Sequence, residues 1–285
     1  QSVCSRIAGA KCPRCWLCLP FCICSRLRHL QARTSKVNVQ LAVHYKEYGT
    51  SSNTAKLLPL LLNAEEQSDA VENGLFIYPI DCAALDKKLR ASPTLLLWPG
   101  PDSQPASSYR DWVEKQNGRV NLVVIDGTWT QARAMARGIC SSIPRVHVND
   151  AALKSESLFI RRKQTQADRV SSVEAAALAL SALGEPSDVA APMLAALRLQ
   201  VDSELVQSGF APVYGSAVVP DAVRAAECGR APWTPSAATK PTRCACCGST
   251  RASFKSLGRR PLDEAGSHTV RVWRCRACKR VFRGA

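Results

Sequence analysis

The middle of the chain alternates short apolar runs with longer amphipathic stretches. Leu122-Val123-Val124-Ile125 is apolar at every position. Such a run, with no polar alternation, fits a strand buried on both faces of a helix-covered parallel sheet. The same pattern predicts strands over Val37–Val43, Leu75–Ile80, Thr94–Trp98, Asn121–Ile125, Arg145–Val148 and Leu158–Arg161. A helix is predicted from Asn53 through Leu62, weakened by Pro59, and another after Thr128. Two more are predicted from Ser171 through Leu183, stopped by Gly184, and from Val189 to Gln207, stopped by Gly209. The expected fold class is therefore α/β.

The pattern changes at both ends. Residues 1–30 form a cysteine-rich basic head and residues 31–215 the α/β body. Residues 216–240 contain an Ala/Pro-rich linker, and residues 241–285 form a second cysteine-rich basic module. With 285 residues the chain can hold one sizeable core and a small appended module. No apolar run approaches the ~20 residues that a membrane-spanning helix needs. The stretch Cys15–Cys24 is apolar and follows basic residues, as a signal-peptide core does, but its close-set cysteines favour metal over membrane. The chain begins at Gln1, so a preceding segment is expected, and a targeting peptide with it stays open.

Charge adds a partner class. The net charge is +15. From Gln1 to Lys46 no acidic residue accompanies Arg6, Lys11, Arg14, Arg26, Arg28, Arg33, Lys36 and Lys46. In the tail, Arg243, Arg251, Lys255, Arg259, Arg260, Arg271, Arg274, Arg276, Lys279, Arg280 and Arg283 face only Asp263 and Glu264. Two basic ends on a more neutral body suit a polyanion such as nucleic acid, although a generic solubilising surface reads similarly.

The 14 cysteines are clustered, unlike a secreted disulfide framework, which places the chain in a reducing compartment, cytoplasmic or nuclear. Cys12 and Cys15, followed by Cys22 and Cys24, make two close pairs that can complete a zinc tetrahedron. Cys18 lies between them and can substitute for one ligand; a run of buried thiols is the alternative. In the tail, Cys244 and Cys247 with Cys275 and Cys278 have zinc-ribbon spacing, leaving Cys246 spare and His268 in a loop. A module this small takes much of its folding energy from metal. Phe254, Trp273 and Phe282 interleave with its arginines and suit either base stacking or packing of the ribbon itself.

Three segments of the body carry candidate chemistry. Leu97-Trp98-Pro99-Gly100 ends a strand in a tight turn. Ile125-Asp126-Gly127-Thr128-Trp129 ends a buried strand in an acidic turn that opens a helix. Ser171-Ser172-Val173-Glu174-Ala175 begins a helix with a Ser171/Glu174 capping box. Ligands of open α/β sheets bind at such strand ends. The plainer readings are that Asp126 caps the following helix, that Ser171 and Glu174 only cap theirs, and that Trp98 and Trp129 are core residues.

Asp126-Gly127-Thr128-Trp129 resembles the defining motif of DTW-domain proteins. So do the knuckle Cys12, Cys15, Cys22 and Cys24, the segment His44…Glu47 with Asn53-Thr54-Ala55, and the other two segments, in order, over roughly Cys12–Gly209. Tyr45 stands where the family has Pro, and Ser172 where Thr is usual; the tail lies outside the resemblance. The resemblance implies a SPOUT-like sheet with a trefoil knot that cradles S-adenosylmethionine. It implies transfer of the 3-amino-3-carboxypropyl group to N3 of a tRNA uridine, with release of methylthioadenosine. Asp126, Thr128 and Trp129 would be catalytic. Leu97, Trp98, Pro99, Gly100, Ile125, Gly127, Ser171, Ser172, Glu174 and Ala175 would line the S-adenosylmethionine pocket. A SPOUT-type RNA methyltransferase and a non-catalytic zinc-containing RNA-binding protein remain the alternatives.

Overall fold

The computed structural model describes residues 11–62, 74–139, 142–148, 157–159, 170–208, 210, 212–216 and three strands between 254 and 283. The chain forms two compact units, residues 1–232 and 233–285.

In the first unit a four-residue helix α1 (Cys24–Leu27) lies within the head. Then come β1 (Val37–His44), α2 (Leu57–Leu62), β2 (Leu75–Tyr78), α3 (Cys82–Arg90), β3 (Thr94–Leu97) and β4 (Gln104–Pro105). After these follow α4 (Arg110–Glu114), β5 (Val120–Asp126), α5 (Trp129–Gly138), β6 (Arg145–His147), α6 (Ser172–Ala182) and α7 (Ser187–Gln207). The strands form one six-stranded sheet in the order β2-β1-β5-β3-β6-β4. Every pairing in it is parallel, as the continuous apolar runs require.

One face of the sheet packs on α3 and α5, where Leu85, Leu89, Met135 and Ile139 meet Ala42, Phe76, Leu96 and Val123. α2 packs on β1 and α6 on β5, and α7 packs on both of these helices. Glu185, in the α6–α7 turn, is buried and accepts the backbone N–H groups of Ser35, Lys36 and Val37. That carboxylate fixes where β1 enters the sheet.

Several elements differ from the sequence expectation for visible reasons. β2 stops at Tyr78 and not Ile80, because Pro79 has no N–H for the ladder and Asp81 accepts the N–H of Ile77. The expected helix from Asn53 begins only at Leu57, because the Asn53 side-chain oxygen caps the N–H of Lys56. Pro59 then falls in the first turn, where a missing donor costs nothing. Leu158 and Phe159 are not strand: the Leu158 N–H goes to Glu174 and its C=O to the Tyr214 hydroxyl. Ile160 and Arg161 lie outside the described residues. So does most of the chain between β6 and α6. α6 stops as expected before Gly184, which sits at φ +97°. Among the described residues no helix is long and apolar enough to cross a membrane.

The second unit holds an antiparallel three-stranded sheet of β7 (Phe254–Pro261), β8 (Thr269–Cys275) and β9 (Val281–Arg283). Cys275 ends β8, in register with Phe254. Cys244, Cys247 and Cys278 lie outside the described residues.

Candidate active site

Because β1, β5 and β3 are parallel neighbours, their carboxyl ends share one edge. Val43 pairs with Asp126, and Leu97 with Val124. This edge gathers the acidic turn, the Trp98 turn and the N-terminus of α6.

Asp126 ends β5 and is buried. It is not the cap of α5. Thr128 caps that helix, accepting the N–H of Gln131 at 3.4 Å while Gln131 Oε1 accepts the N–H of Thr128 at 2.7 Å. The Asp126 carboxylate points elsewhere. Its Oδ1 accepts the Ser172 hydroxyl at 2.6 Å, and its Oδ2 accepts Asn53 Nδ2 at 2.5 Å. Donors to both oxygens lock the plane of the carboxylate.

Gly127 lets the turn run close to Gln131 and His44. A Cβ there would lie 3.2 Å from Gln131 and 3.4 Å from His44 Cβ. His44 itself ends β1, and its Nδ1 accepts the N–H of Lys46. Burial, and then the charge of Lys46, push its pKa below the usual value. It is therefore neutral at pH 7 with the proton on Nε2.

Trp98 follows β3 and is half-buried, while Trp129 is 41% exposed at the start of α5. Their ring centroids are 5.8 Å apart, in a tilted contact. Neither is purely a core residue. Gly100 lets the chain pass close to the Trp98 indole, and Pro99 is exposed beside it. Leu97 and Ile125 point into the packed layers, so only their backbone can face a ligand.

Ser171 caps α6, and its N–H is accepted by Glu174 at 2.8 Å. The Glu174 carboxylate also takes the Ser157 hydroxyl and the Leu158 N–H, both at 2.7 Å. This charge anchors the 157–158 segment onto the N-terminus of α6. Ser172 and Ala175 are only half-buried, and Ser172 reaches Asp126. Asn53 has no site role in the sequence reading. Its only signal is its place in the Asn53-Thr54-Ala55 segment.

The head builds a second cluster. Cys12, Cys15, Cys22 and Cys24 offer sulfurs that all lie within 4.8 Å of one another. Cys12 Sγ is 3.6 Å from Cys24 Sγ, and Cys15 Sγ is 3.7 Å from Cys22 Sγ. Zinc–sulfur bonds of ~2.3 Å in a tetrahedron separate sulfurs by about 3.8 Å, so this donor set fits zinc. The neighbouring Cys24 thiol, above all, holds Cys15 down to about 4, against burial. Burial pushes Cys22 up to about 11, and the bond to Cys15 raises Cys24. Full ionisation of the cluster thus calls for a cation. Cys18 stands outside the group; its N–H goes to Gln207.

Residues 9–205 match the model of the DTW domain family. The chain belongs to that family. A relative, tRNA-uridine aminocarboxypropyltransferase 2 of Drosophila melanogaster, is 33% identical over 178 residues. The match takes in 61% of this chain and 66% of that protein. No solved structure matches the chain. Within the DTW match fall the four-cysteine knuckle, Asn53, Asp126 and Ser172, and the tail lies beyond it.

Proposed function

We propose that this DTW-domain protein is a tRNA-uridine aminocarboxypropyltransferase using S-adenosylmethionine. The observation that carries the reading is the oriented carboxylate of Asp126, held by Asn53 and Ser172 at the carboxyl edge of the sheet beside two indoles. The named activity of the Drosophila melanogaster relative supports it.

In this reading Asp126 takes the N3 proton of the uridine. The N3 lone pair then forms a bond to the terminal carbon of the 3-amino-3-carboxypropyl group. The bond from that carbon to sulfur breaks, and its electron pair leaves with neutral methylthioadenosine. Trp98 and Trp129 offer π faces to the sulfonium or to a base. Thr128 shapes the turn, and the backbone of 97–100, 125–127 and 171–175 lines the pocket. The proposal includes the trefoil knot, a tRNA substrate, zinc in the head, and a zinc ribbon at Cys244, Cys247, Cys275 and Cys278. Its domain plan is a head (1–30), a catalytic body (31–215), a linker (216–240) and a ribbon (241–285).

The test is an assay of the full chain with labelled S-adenosylmethionine and a panel of tRNAs, read by nucleoside mass spectrometry and by-product analysis. A 3-amino-3-carboxypropyl uridine with methylthioadenosine is expected. S-adenosylhomocysteine would instead make it a methyltransferase, and no turnover with retained RNA binding would make it a binding protein.

A further inference from the structure

Residues 45–56 form neither helix nor strand, yet they join the two clusters just described. At one end they are bound to the head. Lys11 Nζ donates to the C=O of Gly49 at 3.0 Å. The Ser51 hydroxyl donates to the C=O of Trp16 at 2.9 Å, in the turn immediately after Cys15. Tyr48 packs edge-on against the fully buried Trp16 ring at 4.8 Å. Lys56, also fully buried, stands 5.5 Å from the centre of that ring and donates to the C=O of Ser51 at 2.8 Å. Gln207, at the end of α7, accepts the N–H of Cys18 and donates to the Ser51 hydroxyl, clamping head and segment together.

At the other end the same segment holds the site. Asn53 is buried, its N–H bound to the C=O of Thr50 and its Oδ1 to the N–H of Lys56. These two bonds orient the amide so that Nδ2 donates to Asp126. Only Ser52 separates Ser51, on the head, from Asn53, on the carboxylate. With no helix or sheet ladder of its own, the segment takes its shape from these contacts.

We propose that residues 48–56 are a strut that ties the position of Asp126 to the four-cysteine knuckle, with Asn53 as its positioning residue. The role assigned to Asp126 rests on the transferase reading above; the mechanical link does not. Metal on the four sulfurs fixes the Cys12–Cys15 turn, that turn fixes Trp16 and Ser51, and these fix Asn53. Coupling between two sites is reciprocal in binding free energy. Changes at Asn53, remote from the sulfurs, therefore alter metal affinity.

The test uses the zinc-loaded full chain and its variants Ser51→Ala, Asn53→Ala and Asn53→Asp. Asn53→Asp keeps an acceptor for the N–H of Lys56 but sets a second carboxyl group against Asp126, so it breaks that link by repulsion and serves if Asn53→Ala melts early. Ser172→Ala is the comparison: it removes the hydroxyl donor to Asp126 without touching the strut. Zinc affinity is measured by competition against a chromophoric chelator, and transfer by kcat and KM. Both Asn53 variants and Ser51→Ala are expected to bind zinc about 5-fold or more weakly. The Asn53 variants are also expected to lose about 10- to 100-fold in kcat with little change in KM. Ser172→Ala is expected to lower kcat at wild-type zinc affinity. Wild-type zinc affinity in the Ser51 and Asn53 variants overturns the strut, as does an equal zinc loss in Ser172→Ala. A wild-type chain that transfers nothing would refute the transferase reading, while the zinc measurements would still decide the strut.

Discussion

Asp126 is met by two stretches of chain far from it in sequence. Asn53 lies 73 residues before it and Ser172 46 residues after it. The sequence shows an acidic turn after a buried strand, which locates the site, and leaves open whether Asp126 is a base or a cap. Long-range donors draw its carboxylate away from the helix N-terminus, and no local pattern encodes them. Thr128, two positions on, takes the capping duty. If Asp126 is the base, Asp126→Asn should abolish transfer while the fold survives. The substituted amide keeps the volume, its oxygen can still accept from Asn53 Nδ2, and its NH2 can donate to the Ser172 hydroxyl, which rotates to accept it. Loss of a general base lowers the rate by about 10²- to 10⁴-fold. Single-turnover rates beside a thermal melt test this: a near-wild-type rate would remove Asp126 from the chemistry, and an early melt would make its role structural.

At the scale of elements, the runs that are apolar throughout were the easiest to read. β3 and β5 stand within a residue or two of their expected spans because burial on both faces leaves little choice of residue. β1, with Asn38 and Gln40, and β6, with Arg145 and His147 only half-buried, match theirs without an unbroken apolar run. α3 escapes sequence reading because only Leu85 and Leu89 anchor it, among Asp86, Lys87, Lys88 and Arg90. β4 has two residues and no periodicity at all. Leu158 looks like strand but spends its backbone bonds on Glu174 and Tyr214. Buried carboxylates thus act as joints between elements, and Glu185 is the clearest. It accepts three successive N–H groups and the Ser35 hydroxyl where β1 begins. Glu185→Ala would strand those donors away from water. Unfolding in urea should then show a loss of about 3 kcal/mol. A loss under about 0.5 kcal/mol, the range of neutral surface substitutions, would mean water replaces the carboxylate there.

On the scale of the whole chain, charge and sulfur separate what the DTW match covers from what it does not. The match ends at residue 205, and the basic tail lies in the second unit. That unit's three-stranded sheet was not read from sequence as strands, because β8 alternates only over Val270-Arg271-Val272 before Trp273 breaks the period, and β7 and β9 do not alternate. What the unit offers a polyanion is therefore charge. Residues 241–285 carry eleven of the basic residues named above against Asp263 and Glu264. If they meet tRNA phosphates, they release counterions on binding, and affinity falls steeply with salt. Deleting 241–285 should weaken tRNA binding at low salt. It should also flatten the plot of log affinity against log salt by about 0.7–0.9 for each phosphate that the shortened chain leaves unneutralised. Both changes are needed, because weaker binding at an unchanged slope would point to a loss of base stacking or of stability. Identical binding across the salt series would confine tRNA recognition to the DTW domain and its basic head.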